Sequence, residues 1–409
     1  MSRIGKKIGA ATAAAGLLVL AACGSSDTAT NSTTVATSPA TSDAAASETL
    51  NASGQSSAAD TASGGALTDV KLQLQWFTQA QFAGYIAALD KGFYEAQGLN
   101  VEILQGGADI VPQTVLAGGQ ADYAIAWVPK ALQSREQGAA ITDVGQVFQK
   151  SGTRQVSFKD KSITTAADLK DKVVGNWGYG NEFELFAGMT KAGLDPAADV
   201  QLTQQQFDMN GLLSGDIDAA QAMIYNEYAQ VLEAENPDTG ALYTADDFNV
   251  IDWNTEGTAM LQDAIWADTA KLADDPAYQE TTVKFLTASY QGWIYCAENA
   301  EECRDIVVAA GSKLGASHQL WQMNEVNKLI WPSADGIGMV DKAAWDQTVT
   351  VAQGTKNADG DTVLTKAPDA EAYTNEYTEK ALAALDEMGL DTKGESFSPI
   401  EVTLNAGGN

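Results

Sequence analysis

The chain is poor in the residues that most often do chemistry. It has one His and three Cys in 409 residues, and 24 Lys and Arg stand against 54 Asp and Glu. With His318 alone and no Cys beside it, neither a Cys/His zinc site nor a Ser-His-Asp triad can be assembled from sequence neighbours. His318 is assigned to ordinary helix surface or core. A net charge of −30 and a pI of about 4.1 exclude nucleic acid as a partner, because phosphate binding needs clustered Lys and Arg. The acidity favours solubility and names no ligand. No Walker-type Lys follows the Gly106-Gly107 pair, and "GNWGYGNEFE" lacks the GxGxxG spacing, so phosphate-cradle and dinucleotide readings fall away. "NADGD", Asn357 to Asp361, lacks the glycine position and distal Glu of a calcium loop and reads as a hairpin turn. No metal and no cofactor is expected.

Long apolar runs are also scarce. Ile8 to Leu20 is too short and too Ala-rich for a membrane span. It follows basic Arg3, Lys6 and Lys7 and ends "LAAC", Leu20 to Cys23, before Gly24-Ser25-Ser26. That order resembles a bacterial lipoprotein signal, cut before Cys23, which would carry the lipid. A buried helix with a chance Cys is the alternative. Residues 1–22 are thus expected as signal peptide and 23–66 as a lipid-anchored flexible tether. Gly24 to Ala66 holds no aromatic, Lys or Arg and cannot bury enough apolar surface to offset its ordering entropy. An exported body permits a disulfide between Cys296 and Cys303, across the turn in "WIYCAENAEECRDIV". Two free buried thiols are the alternative.

From Leu67, strand and helix patterns alternate. "VKLQLQW" has period two. Phe82, Tyr85, Ile86 and Leu89 share one helical face, and Pro112 suits a first helical turn. "ADYAIAW", "TDVGQVF", Val173 to Trp177 and "DAAQAMIY" read as strands. "NEFELFAGMTKAGL" reads as a helix with Asn181 as its cap. "FNVIDWN" is the last extended piece expected before the chain crosses back. Helices follow, one with Val283, Leu286, Tyr290, Trp293 and Ile294 on one face and another over residues 370–388. Such alternation predicts mostly parallel sheets in two α/β lobes. The expected division is 67–160 for the first lobe, 161–254 for the second, and 255–409 for the return and C-terminal helices.

Ligands of open α/β sheets bind beyond the carboxyl ends of strands. Trp76, Trp127 and Trp177 each follow a strand and Tyr225 ends another, so both lobes point aromatics at one cleft. Phe77, Gln79 and Gln81 flank Trp76, and buried amides need partners that a ligand can supply. Trp76 and Phe77 could otherwise be core. Gly106, Gly107 and Asp109 precede a helix start whose N–H groups can hold a polar group; a plain turn is the alternative. Asn176, Trp177 and Tyr179 sit in the glycine-rich turn. Tyr225, Asn226, Glu227 and Tyr228 form a polar-aromatic patch in which Glu227 can accept from an amino-heterocycle N–H.

"QWFTQAQFAGYIAALDKGFYEAQGLNVEI", "GGADIVPQTVLAGGQADYAIAW", "GNEFELF" and "DAAQAMIYNEYAQVLEAENP" together resemble solute-binding proteins of the thiamine-pyrimidine-synthase-like superfamily. They are also similar to the nitrate, sulfonate and taurine binding proteins of ABC importers. The resemblance spans Leu67 onward. It implies a type II periplasmic-binding-protein fold, with two α/β lobes around a hinged ligand cleft, and a small-molecule ligand delivered to an ABC permease and its ATPase. The ligand classes implied are a thiamine pyrimidine precursor, then riboflavin, then sulfonate or nitrate. Some superfamily members are pyrimidine synthases that consume an active-site His and carry a Cys-rich iron motif. This chain lacks that motif, and His318 lies far from "QAQFAGY". A receptor is therefore expected, with a synthase, a hydrolase using paired carboxylates and a structural lipoprotein as the rival classes.

Overall fold

The computed structural model describes residues 49–50, 66–357 and 359–409; the expected signal and Cys23 lie outside the described residues. Within the segment expected as tether, β1 (Thr49–Leu50) pairs antiparallel with Leu104 and Ile103 of β3 (Leu99–Leu104). This corrects a tether expected to be free up to residue 66. The exposed main-chain groups of a sheet edge can be satisfied by almost any extended segment.

The first sheet runs β1, β3, β2 (Thr68–Gln73), β4 (Tyr123–Trp127), β11 (Asp263–Asp268), β5 (Ile141–Gln146). β2 pairs parallel with β3 and β4, whereas β11 is antiparallel to both β4 and β5. In the second lobe, β6 (Thr153–Phe158) lies between β9 (Ala220–Met223) and β10 (Phe248–Asp252), antiparallel to both. β7 (Val173–Asn176) pairs parallel with β8 (Gln201–Gln204), and Val174 bridges to Ala219.

The first sheet is therefore mixed, and the second lobe combines an antiparallel three-stranded sheet with a parallel pair, where mostly parallel sheets were expected. The returning chain enters each sheet from the opposite side, and "TRQVSF" and "DAIWAD" were not read as strands. Because β6 belongs to the second sheet, that lobe begins before residue 161. The return begins with a strand, not a helix.

Residues 147–152 and 257–262 carry the chain between lobes. Gln262 fastens them together: its Oε1 accepts from Gly152 N at 2.8 Å and its Nε2 donates to Thr153 Oγ1 at 2.6 Å. Glu184 clasps both crossovers, accepting from Ser151 Oγ and from Met260 N. Gln262 and Glu184 thus tie the two crossovers together through buried polar groups that find partners.

Helices Ala83–Asp90 and Pro276–Glu298 cover the first sheet. Gly84 and Gly292 meet there so closely that a Cβ on Gly292 would stand 2.0 Å from the Gly84 carbonyl oxygen. Helix Pro276–Glu298 buries Leu286, Tyr290, Trp293 and Ile294 in the main core. Cys296 near its end is bonded to Cys303 of helix Ala300–Ala309. The expected helix over 370–388 is Glu376–Glu387, and Lys356 bridges Thr362 around the "NADGD" turn.

Candidate ligand-binding cleft

The cleft opens between the two sheets. From the first lobe it is lined by Gln75, Trp76, Gln79, Gln81, Gly107, Trp127 and Lys130. From the second it is lined by Trp177, Tyr179, Asn181, Phe207, Met223, Tyr225, Asn226 and Glu227. Most of the aromatic and amide residues expected from sequence thus converge, and strands β2, β4, β7 and β9 deliver them at or just beyond their carboxyl ends.

Four expected residues lie elsewhere. Phe77 turns outward, 43 % exposed, with its ring edge-on to Trp76 at 5.2 Å. Gly106 serves the backbone: a Cβ there would lie 2.4 Å from Trp76 N. Asp109 is exposed and borders an outer groove beside Lys71 and Gln73. Asn176 is buried and uses its Oδ1 to accept from Gly178 N, closing the turn.

That turn holds Gly178, Tyr179 and Gly180 all at positive φ, with Tyr179 at +56° and 81 % exposed. The flanking glycines suit this conformation. Non-glycine residues adopt it rarely, and such positions cluster at ligand-contacting loops.

The first-lobe wall is organised around a residue that sequence reading missed. Asp263, at the start of β11, is buried. It accepts from Gln75 Nε2 at 2.6 Å, Gln81 Nε2 at 2.8 Å and Trp127 Nε1 at 2.8 Å. Gln81 Oε1 in turn accepts from Gln79 Nε2 at 2.7 Å. The amide donors of Gln81 and Gln79 are therefore engaged within the wall, and Gln81 is held as a strut. Burial pushes the Asp263 carboxyl up to about 7, with its three donors pulling the other way. No signal in "LQDAIWAD" marks this carboxylate, because its role exists only once β11 lies beside β4.

Lys130 was also missed. Its ammonium donates to Asn181 Oδ1 at 2.8 Å across the cleft and lies 5.3 Å from the Trp127 ring. Desolvation pulls it down to about 8. Asn181 is accordingly a cleft residue; the position before helix Phe183–Lys191 is taken by Glu182.

In the second-lobe wall, Phe207 stands between the two expected tryptophans, 4.5 Å from Trp76 and 6.1 Å from Trp177, whose plane it matches to within 24°. Trp177 Nε1 is buried and has no partner among the described residues. Glu227 is buried. Its Oε2 accepts from Met223 N at 2.9 Å and its Oε1 from Asn226 Nδ2 at 2.8 Å. Burial lifts its carboxyl to about 7. Each oxygen keeps a lone pair for a further donor.

The arrangement is a cleft lined by aromatic rings and amides, with Glu227 the one carboxylate and Lys130 the one ammonium among its lining residues. It can take a planar ring bearing N–H groups. Among the described residues no group of three or more His, Cys, Asp or Glu could hold a metal ion.

A family model described as "NMT1/THI5 like" matches residues 79–303. The chain is 22 % identical over 244 residues to a formylaminopyrimidine-binding protein of Halalkalibacterium halodurans, covering 59 % of this chain and 71 % of that one. It is 24 % identical over 292 residues to a riboflavin-binding protein of Chloroflexus aurantiacus, covering 69 % and 79 %. A Haemophilus influenzae relative whose name refers to thiamine biosynthesis is 28 % identical over 151 residues, 37 % of this chain, and the chain spans about half of its length (48 %). The crystal structure of the periplasmic aliphatic sulphonate binding protein of Escherichia coli superposes with a TM-score of 0.51 at 15 % identity. It covers 82 % of this chain and 92 % of that one, and establishes a periplasmic-binding-protein fold.

Proposed function

The chain belongs to the NMT1/THI5-like family, and on that premise we propose that it is an extracytoplasmic receptor delivering a planar amino-heterocycle of the pyrimidine class to an ABC importer. The observation that carries this reading is Glu227. It is a buried carboxylate fixed by Met223 N and Asn226 at the edge of a slot walled by Trp76, Trp177, Phe207 and Tyr225. A charge-assisted bond from a ring amino group would satisfy its free lone pair, and the aromatics would cover the ring faces. The pyrimidine-binding relative supports the same ligand class.

Riboflavin is the second reading, supported by the relative from Chloroflexus; its larger ring system would reach outward to Tyr179 and Val111, which are exposed at the mouth. A sulfonate fits less well. Lys130 is the one cation among the lining residues, and Asp263 lies behind the same wall.

Calorimetric titration with 4-amino-5-hydroxymethyl-2-methylpyrimidine, riboflavin and an alkanesulfonate tests the assignment. Saturable binding of the aminopyrimidine is expected. Preference for the sulfonate would refute it, and catalytic turnover of a ligand would move the protein to the synthase class. Lipid anchoring through Cys23 is part of the proposal. Cys23→Ser should release the protein from membranes, and unchanged lipidation would remove the anchor.

A further inference from the structure

Helix Ala316–Ile330 bridges the lobes. It packs Trp321 against the second-lobe core and Met323, Val326 and Ile330 into the first. Its first turns reach the backs of both cleft walls with adjacent residues. Gln319 Oε1 accepts from Ala80 N at 2.6 Å, between the cleft residues Gln79 and Gln81. His318, the only histidine of the chain, is buried. Its Nε2 lies 2.9 Å from Asn226 Oδ1 and its Nδ1 lies 2.8 Å from Glu233 Oε1.

Proton bookkeeping fixes the direction of this chain. Asn226 presents Nδ2 to Glu227, so Oδ1 is its acceptor end, and Nε2 of His318 must carry the hydrogen between them. Nδ1 lies against the Glu233 carboxyl, which holds the ring from its other side. Four side chains, Glu233, His318, Asn226 and Glu227, thus lead from behind the second lobe into the cleft. Without the Nε2 hydrogen the Asn226 amide is free to turn over. Its carbonyl would then face the Glu227 carboxylate, acceptor against acceptor.

We propose that His318 is a positioning residue for the ligand site, orienting Asn226 and through it the Glu227 carboxylate, with Glu233 holding the ring. The proposal rests on the reading of the cleft as a site for an N–H-bearing heterocycle. His318 does not line the cleft and acts only through Asn226.

Having one histidine makes the test direct. In ¹⁵N-labelled full-length protein the imidazole gives one pair of ring-nitrogen signals. Saturation with 4-amino-5-hydroxymethyl-2-methylpyrimidine should move them, because a ligand N–H on Glu227 weakens the hold of that carboxylate on Asn226. His318→Leu, which leaves the Asn226 acceptor buried and unmet, should weaken binding about 5- to 100-fold. His318→Gln, whose amide can donate to Asn226 Oδ1, should recover most of that loss, with both melting temperatures recorded alongside. Ring signals unmoved at saturation overturn the proposal while the cleft reading stands, and this readout needs no variant to fold. A His318→Leu protein that binds as tightly as wild type overturns it equally. Failure of wild type to bind either this pyrimidine or riboflavin overturns both readings together.

Discussion

The two walls of the cleft are built on opposite plans. In the first lobe the polar groups answer one another: Gln75, Gln81 and Trp127 all donate to Asp263, and Gln79 donates to Gln81. In the second lobe Glu227 keeps unused lone pairs, Trp177 Nε1 has no partner among the described residues, and Asn226 depends on a histidine from another helix. A self-satisfied wall is rigid before ligand arrives, whereas polar groups left over in the other wall create a demand for a ligand. On the proposed function, the first lobe would supply shape and the second selection.

The sharpest way to break this contrast is to remove the centre of the rigid wall. Asp263→Ala leaves two buried donors, Gln81 Nε2 and Trp127 Nε1, and the half-buried Gln75 amide unanswered, each buried one costing about 1–3 kcal/mol. Denaturant unfolding should show a loss of about 3–5 kcal/mol, among the largest of single substitutions. An unchanged midpoint would mean that the first wall is no more self-supporting than the second.

Glu227→Gln should do the reverse, costing the fold less than Asp263→Ala because one of its two donors, Met223 N or Asn226 Nδ2, keeps an acceptor, and weakening an aminopyrimidine by about 1.5–3 kcal/mol, roughly 10- to 150-fold in Kd. Calorimetry beside a melting curve separates the two outcomes, and equal losses in both would erase the distinction between walls.

Titration sharpens the comparison further. Glu227, Asp263 and Glu184 are all raised by burial to about 7, above the carboxylate range of an unfolded chain. Between about pH 4.5 and 7 the native state therefore binds more protons than the unfolded state. Stability falls as pH rises through that window, opposite to an ion-paired carboxylate. Ligand affinity should move the other way, because accepting an N–H needs Glu227 ionised. Melting temperature and Kd measured from pH 5 to 8 should both drop as pH rises. In Glu227→Gln the affinity trend should flatten while the stability trend, still carried by Asp263 and Glu184, persists.

The smallest effect belongs to the residue between the tryptophans. Phe207→Ala removes ring contacts to Trp76 and Trp177 and should cost about 0.5–1.5 kcal/mol of binding for a stacked ring. A gain in affinity would show that Phe207 occupies the place of the ligand.

The contrast also explains what was readable in the chain. Trp76, Trp127, Trp177 and Tyr225 were legible because each stands at or just past a strand whose pattern is local. Glu227 was legible from the polar cluster around it. Asp263, Lys130 and Phe207 were not. Asp263 sits in a strand that pairs with β4 across 136 residues of chain, and nothing near it in sequence hints at Gln81 or Trp127. Asn176 and Gly106 had the right character but lie outside the cleft lining, while Gln81 lines the cleft and also donates to Asp263, a partner that no local pattern reveals.

By itself the sequence determined the alternation of strands and helices, the two lobes and the aromatic ends of the strands. These follow from periodicity and composition, which act over a few residues. The tertiary structure alone decided that antiparallel strands enter the sheets of both lobes, that Asp263 organises one wall, and that His318 reaches the other. Each depends on a crossover bringing distant segments within about 3 Å, the range at which hydrogen bonds form and buried polar groups must find partners.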